Sequence, residues 1–435
     1  MKDGAVTGVL IVTVCLSLIF SALIWTGTPS QATIDRPGFF SSPTYGGLRN
    51  VEDLIRPQAV WLWTSSNELF RIGGDTKTTM AIIASLAKGK WAGHSLHRLS
   101  KSVSLVPVHA YLKIDYGITS KNPAPLSLFL PAIGSQVTSP VESSLYISAT
   151  GKANEFLLAF RTGQSIWQGL LSLVPKSLGN AFMPNDQETP YAQIPLDGKI
   201  MDLPYDSVEM PVETWSLARP VSSRIIDSFF ADPTIVQEIT EPRHVTLYTD
   251  GTRGVRTAKG AFGDQIQYMN PSQPLPGQIL NPSQAFQASV FFINDHGGFV
   301  GEQNGMYVGN SLHGTDSYFT FNEWVGGWPL FSSLDQIHVA AQNGIVVGLS
   351  RELAYLSYLI AERKEQILSG TQLINRVGAS ELHHLTRITL GYGVLSVTAD
   401  MVELTPVYRM TFSNHSARYV YANNGLPFNG TGSQS

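Results

Sequence analysis

Hydrophobic positions are densest at the start of the chain. No charged side chain occurs between residues 4 and 34, and residues 6–25 carry twelve Val, Ile, Leu or Phe. At about 1.5 Å rise per residue, such a helix is about 30 Å long, one bilayer core. The segment is expected to insert, with Trp25 at the outer interface and Lys2 with the α-amino group inside. Secretory apolar regions run only about 7–15 residues, so length favours an uncleaved anchor over a signal peptide cut near Ser30-Gln31-Ala32. Cys15 sits in the middle of the run after Val14, which argues against a lipoprotein. Residues 1–29 are therefore read as a transmembrane anchor and residues 30–50, rich in Ser, Thr, Pro and Gly, as a spacer.

Beyond residue 50 the pattern is that of short strands and a few helices. Residues 59–64 (AVWLWT) form an apolar run of buried-strand type, residues 76–86 have helical spacing, and residues 103–114 alternate. Residues 145–148 and 156–160 flank a turn, after which Ile166, Trp167, Leu170 and Leu171 have helical spacing. This predicts an N-terminal α+β domain over residues 51–173. Residues 174–220 hold seven prolines, which rules out a long helix and marks a linker. A second domain opens with a hairpin signal at Thr249-Asp250-Gly251-Thr252. There follow a helix over residues 282–293 with strands behind it, and a second helix over residues 362–377 followed by strands at 385–391 and 401–412. The middle domain is placed at 221–335, the C-terminal domain at 336–425 and a flexible tail at 426–435. The fold class is α+β: an N-terminal transmembrane helix, then an extracytoplasmic multi-domain part with antiparallel sheets packed by helices.

Composition narrows the function. The 435 residues carry 29 Lys and Arg against 33 Asp and Glu, a net charge of −4, and no basic stripe interleaved with aromatics, so nucleic acid is excluded as a partner. With Cys15 the single cysteine, disulfides and Cys-x-x-Cys zinc sites are impossible.

Catalytic patterns are incomplete. Ser85-Leu86-Ala87-Lys88 matches the Ser-x-x-Lys of penicillin-recognising enzymes, but Ser65-Ser66-Asn67 precedes it and no Lys-Thr-Gly follows. Gly309 to Gly314 is one residue too long for a nucleophile elbow. His94 and His97, and the pair His383 and His384, lack the carboxylate of a metalloprotease motif. Asp295-His296-Gly297-Gly298 reads as a helix C-cap and turn. No catalytic residue, metal or cofactor is expected.

Several stretches in order resemble the YycH regulatory proteins of Gram-positive bacteria. They are Ser21-Ala22-Leu23-Ile24-Trp25, Leu54-Ile55-Arg56-Pro57, Phe229-Phe230-Ala231-Asp232-Pro233, the run from Leu247 to Gly254, and Tyr268-Met269-Asn270-Pro271. His296-Gly297-Gly298, Gly327-Trp328-Pro329-Leu330-Phe331, Leu390-Gly391-Tyr392 and Leu404-Thr405-Pro406-Val407-Tyr408 continue the series. The resemblance implies a non-enzymatic, membrane-anchored accessory protein, N-terminus cytoplasmic and bulk extracytoplasmic. It implies that such a protein works with a YycI-like single-span partner to tune the WalK (YycG) histidine kinase of cell-wall metabolism, largely through transmembrane helices.

Within the helix, Gly4 with Gly8 and Ser17 with Ser21 form small-x-x-x-small pairs, which let helices approach closely in lipid. At about 100° per residue Gly8 and Ser17 point opposite ways, so two partner helices could be met. These four residues are the candidate partner-binding site. The competing readings are a binding module for a wall or lipid ligand, with a pocket lined by aromatics such as Trp324, Trp328 and Phe331, and an anchored wall hydrolase with converging acids.

Overall fold

A computed structural model describes Ser17 and most of residues 46–430, apart from 74–76, 93–95, 100–109, 118–123, 131–133, 135–136, 138–139, 153, 164, 174–181, 183–187, 272–281, 300–303, 312–315, 335 and 415. Residues 1–39 are a unit of their own, of which Ser17 is described as helical and exposed. The apolar segment at residues 6–25 otherwise lies outside the described residues. Among the described residues no helix is long and apolar enough to cross a membrane.

Residues 40–435 build three antiparallel sheets. The first comprises β1 (Ala59–Trp63), β2 (Leu69–Ile72), β3 (Lys90–Trp91), β4 (His97–Leu99), β5 (Tyr111–Asp115), β6 (Leu145–Ala149), β7 (Glu155–Thr162), β8 (Ser165–Ser172), β9 (Thr189–Leu196) and β10 (Lys199–Pro204). Its order is β10-β9-β2-β1-β5-β6-β7-β8-β3, with β4 also on β8. Helices α1 (Val51–Leu54), α2 (Lys77–Ala87) and α3 (Leu126–Phe129) belong to this part of the chain. The unbroken apolar run of β1 has a simple cause. Alternate strand residues face opposite ways; Val60 and Leu62 enter the large core with Ile82 and Leu86 of α2, while Ala59 and Trp61 join a smaller cluster with Leu69 and Tyr191 on the other face.

β11 (Val208–Ala218) follows the last strand of the first sheet and belongs to the third. The second sheet comprises β12 (Gln237–Glu241), β13 (Val245–Thr249), β14 (Gly254–Lys259), β15 (Asp264–Met269), β16 (Asn304–Ser311), β17 (Asp316–Val325), β18 (Trp328–Pro329), β19 (Ile337–Gln342) and β20 (Ile345–Glu352). Its order is β12-β13-β14-β15-β20-β19-β17-β16, with β18 on β17. Helices α4 (Ser222–Ser228) and α5 (Pro282–Asp295) accompany it. Phe286, Val290 and Ile293 of α5, at helical spacing, are buried in the large core with Phe319 and Phe321 of β17. The Asp250 turn joins β13 to β14 as the hairpin signal predicts.

The third sheet unites β11 with β21 (Tyr355–Ile367), β22 (Leu385–Val397), β23 (Met401–Phe412) and β24 (Ala417–Tyr421) in the order β21-β11-β23-β22, β24 lying on β23. Helix α6 (Gly370–Val377) packs on it through Leu373.

The architecture is thus α+β with antiparallel sheets and few helices, as expected, but three readings need correction. Ile166 to Leu171, read as helical, lie in β8 and pair with β7 across a turn at Gly163. Residues 362–367, read as the start of a helix, continue β21; the helix begins at Gly370, where Ser369 and Gln372 form a capping box. The stretch 174–220, read as a linker, holds strands from Thr189 on. Two of its strand prolines lie where a neighbour is missing on one side, Pro195 pairing only toward β10 and Pro211 only toward β21. β17 and β19, on either side of residue 336, are hydrogen-bonded neighbours in one sheet.

Candidate functional site

Of the four small residues proposed to meet partner helices, Gly4, Gly8 and Ser21 lie outside the described residues, and Ser17 is helical and exposed. The catalytic-looking residues are placed separately. Ser85 is buried on α2 while Lys88 is exposed. His97 is exposed, His94 is outside the described residues, and the exposed His383 and His384 hold their rings 6.3 Å apart. Among the described residues no group of three or more His, Cys, Asp or Glu is arranged to hold a metal ion.

His296 is enclosed. Its ring stacks on Phe229 at 4.4 Å and packs against Phe292 at 4.2 Å, with no exposed surface. Ser228 donates its hydroxyl proton to the Ile225 carbonyl at 2.6 Å, so at 3.1 Å its oxygen is left to accept from His296 Nδ1–H. Burial, reinforced by the positive Arg253, pushes the imidazole down to about 3, and it stays neutral. Phe229 also stacks on Tyr268 at 4.9 Å, and its carbonyl accepts from Arg253 Nη1 at 3.5 Å. The stretches around residues 229, 253, 268 and 296 therefore converge on one packed cluster. Asp250 closes its turn by accepting from the amides of Thr252 and Arg253, both at 2.8 Å.

A second convergence is open. On the face of the first sheet turned from the large core, Lys113 of β5 stands beside Trp61 of β1, Trp61 beside Arg71 of β2, and Arg71 beside Thr189 of β9. Two residues along, Asp115 stands beside Ala59, and on β10 Asp202 stands beside Gln193. Ala59, Trp61, Arg71, Lys113, Asp115 and Asp202 of this row wall a cleft of about 230 Å³, whose other side is Trp328 of β18 and Thr386 to Leu390 of β22. Of the three aromatics expected in a pocket, Trp328 lines the cleft; Trp324 is buried, and Phe331 packs on Tyr419 at 5.9 Å.

One ion pair of the cleft holds the first sheet to the third, and another lies within the first sheet. Arg387 Nη2 donates to Asp115 Oδ2 at 2.7 Å and Lys113 Nζ to Asp202 Oδ2 at 2.9 Å. The second oxygens are engaged too: Asp115 Oδ1 accepts from the Gly117 amide at 2.8 Å and Asp202 Oδ1 from Gln193 Nε2 at 3.2 Å. Burial disfavours the charge of Lys113, yet Asp202 and then Asp115 hold its pKa above the ordinary value. Arg71 is buried with its guanidinium 3.5 Å from the centre of the Trp328 ring, and Nη2 donates to the Gly327 carbonyl at 3.1 Å. Gly327 has φ 77°, which a side chain would disfavour. Burial pushes the Tyr191 hydroxyl up to about 12, and its ring meets Trp61 edge-on at 4.8 Å.

Three sequence stretches meet behind this wall. Leu330 bridges to Tyr392, Tyr392 pairs with Pro406, and Leu390 pairs with Tyr408. Gly391 permits the approach: a Cβ there would lie 2.4 Å from the Pro329 carbonyl. Sequence reasoning missed Trp61, Arg71, Lys113, Asp115, Asp202 and Arg387. The one available signal was isolated charges inside strand patterns, as in Tyr111-Leu112-Lys113-Ile114-Asp115.

The architecture has a known counterpart. The crystal structure of YycH from Bacillus subtilis superimposes with a TM-score of 0.65 at 13% identity, covering 86% of this chain and 98% of that one. A second structure, of an uncharacterized protein from Eubacterium rectale, matches with a TM-score of 0.36 at 10% identity over 55% of this chain and 93% of that one, too weakly to carry an argument. No curated protein matches the sequence. Residues 203–424, which contain β11 and all of the second and third sheets, match the family model of the YycH protein C-terminal domain. That is just over half of the chain, which therefore belongs to the YycH family.

Proposed function

We propose that this protein is a non-enzymatic, single-pass membrane protein, its N-terminus cytoplasmic and its bulk extracytoplasmic. In this reading it tunes the sensor histidine kinase WalK (YycG) of a two-component system controlling cell-wall metabolism. It works with a YycI-like single-span partner, mainly through its transmembrane helix. Family membership over residues 203–424 carries the reading. The uncharged apolar run at residues 6–25 supports the anchor. The engagement of Ser85 and His296 in packing supports a regulator over a hydrolase, because neither side chain is offered to a substrate.

The test is a transcriptional reporter driven by the cognate response regulator, read in a strain lacking the gene and again with the full chain restored. Output is expected to change on deletion and return on restoration. Unchanged output in both strains would exclude kinase regulation.

A further inference from the structure

We propose that the cleft between the first and third sheets is a binding site for one uncharged hexopyranose unit. Lys113, Asp115, Asp202 and Arg387 would share its hydroxyls, and its ring would lie against the aromatic wall of Trp61 and Trp328. The proposal is independent of the kinase reading, because it rests on the cleft alone.

Charge decides the class of ligand. Asp115 is ion-paired with Arg387 at 2.7 Å and Asp202 with Lys113 at 2.9 Å. Arg71, the third cation of the lining, is buried and engaged by the Gly327 carbonyl and the Trp328 ring. The charges are thus answered within the protein, and an ion entering the cleft would give up hydration without gaining a counter-charge of its own. Size comes second. At about 30 Å³ per water, a cleft of about 230 Å³ holds roughly seven waters, the room of one sugar ring with its hydroxyls.

The paired side chains keep hydrogen-bonding capacity of both kinds. A carboxylate offers about four acceptor positions. Among the described residues Asp115 uses two of them, with Arg387 and the Gly117 amide, and Asp202 two, with Lys113 and Gln193. An ammonium has three N–H donors and a guanidinium five, of which these ion pairs use one apiece. All four side chains keep accessible surface, from 13% for Asp115 to 35% for Arg387. Open donors beside open acceptors, each fixed in place by its ion pair, suit hydroxyl groups, which donate and accept at one atom. A ring carrying several hydroxyls uses several such places at once. The wall supplies the apolar half of the site. Trp328 is held beneath the Arg71 guanidinium, and Trp61 is braced by the edge-on Tyr191 ring. The negative face of an aromatic ring attracts the C–H hydrogens of a sugar. Aromatic surface with a few converging polar groups is the usual composition of a small-molecule site.

The probes are the methyl β-glycosides of glucose, galactose and mannose, titrated against the purified full chain by saturation-transfer NMR in a detergent without a sugar head group. Tetrahydropyran-2-methanol serves as the ring without its other hydroxyls, and glucuronate and glucosamine as charged counterparts. Saturable binding of at least one glycoside is expected, with each control at least about tenfold weaker. Ile200, 63% exposed at the cleft on β10, allows the site to be plugged from the surface. Ile200→Trp should weaken glycoside binding about tenfold at unchanged melting temperature, and Arg387→Gln should do the same. Absence of binding by all three glycosides would overturn the proposal. Equal binding of tetrahydropyran-2-methanol would make the cleft merely apolar, and equal binding of glucuronate or glucosamine would make it an ion site; either overturns it. Undiminished glycoside binding by a folded Ile200→Trp protein would place the ligand elsewhere, even if Arg387→Gln failed to fold.

Discussion

His296 has the surroundings of a core residue and the chemistry of a pH-dependent one. Its folded-state pKa, about 3, lies well below the ordinary 6.5. Above pH 6.5 the ring is neutral in both states and the full stability is present. As pH falls below 6.5 the unfolded chain takes up a proton that the folded protein refuses, and stability drops by about 1.4 kcal/mol per pH unit. Urea unfolding at pH 7.5 and 5.5 should therefore show a loss that shrinks by about 1 kcal/mol in His296→Phe. An equal loss in both proteins would mean that His296 is not held neutral. The sequence legibly placed His296 at a helix end with a turn after it, because two glycines in succession favour that geometry. Its burial between Phe229 and Phe292 was not legible, since residues 229 and 296 are brought together by the fold.

At the scale of elements, the clearest prediction concerns Gly391. It lies in β22 where the segment carrying Trp328 and Leu330 crosses, and a methyl group would collide with the Pro329 carbonyl and the Phe331 ring. Gly391→Ala should lower stability by about 1–3 kcal/mol, measured by urea unfolding. A neutral effect would mean that the crossing segment is not packed there. The elements also mark where pattern reading ends. Helices α2 and α5 were legible from their spacing, and the β13–β14 turn from Asp250-Gly251. Residues 361–366, Ala-Glu-Arg-Lys-Glu-Gln, are strong helix formers, yet pairing with β11 from Val208 to Ala218 holds them extended. That partner is more than 140 residues away in the chain, so no local signal announces it.

The same distance effect governs the whole molecule. The cleft is walled by residues from positions 58 to 408, and its ion pair between Asp115 and Arg387 spans 272 residues. A segment-by-segment reading finds charges in strands but not their meeting. β11, which lies in the proline-rich stretch, pairs in the third sheet with β21 and β23, both far downstream in the chain. The proposed anchor belongs to this scale too, since it would decide where the folded mass resides. Intact-mass measurement of the protein extracted from membranes should return the uncleaved chain; an N-terminus at Thr33 would instead make it a secreted protein.

In the proposed function, regulation is exerted through a transmembrane helix formed by the apolar run at residues 6–25. Helix association in lipid rests on close packing rather than hydrophobic drive, so added volume at the contacts should be costly. Gly8→Leu and Ser17→Leu keep the segment apolar enough to insert but obstruct close approach. The deciding measurement is kinase-dependent reporter output from the full-length variants, normalised to their abundance in membranes. Both substitutions should weaken regulation at unchanged protein level, while Leu18→Ile should leave it intact. Full regulation by Gly8→Leu and Ser17→Leu at equal abundance would contradict the account and move the regulatory contact to the extracytoplasmic surface.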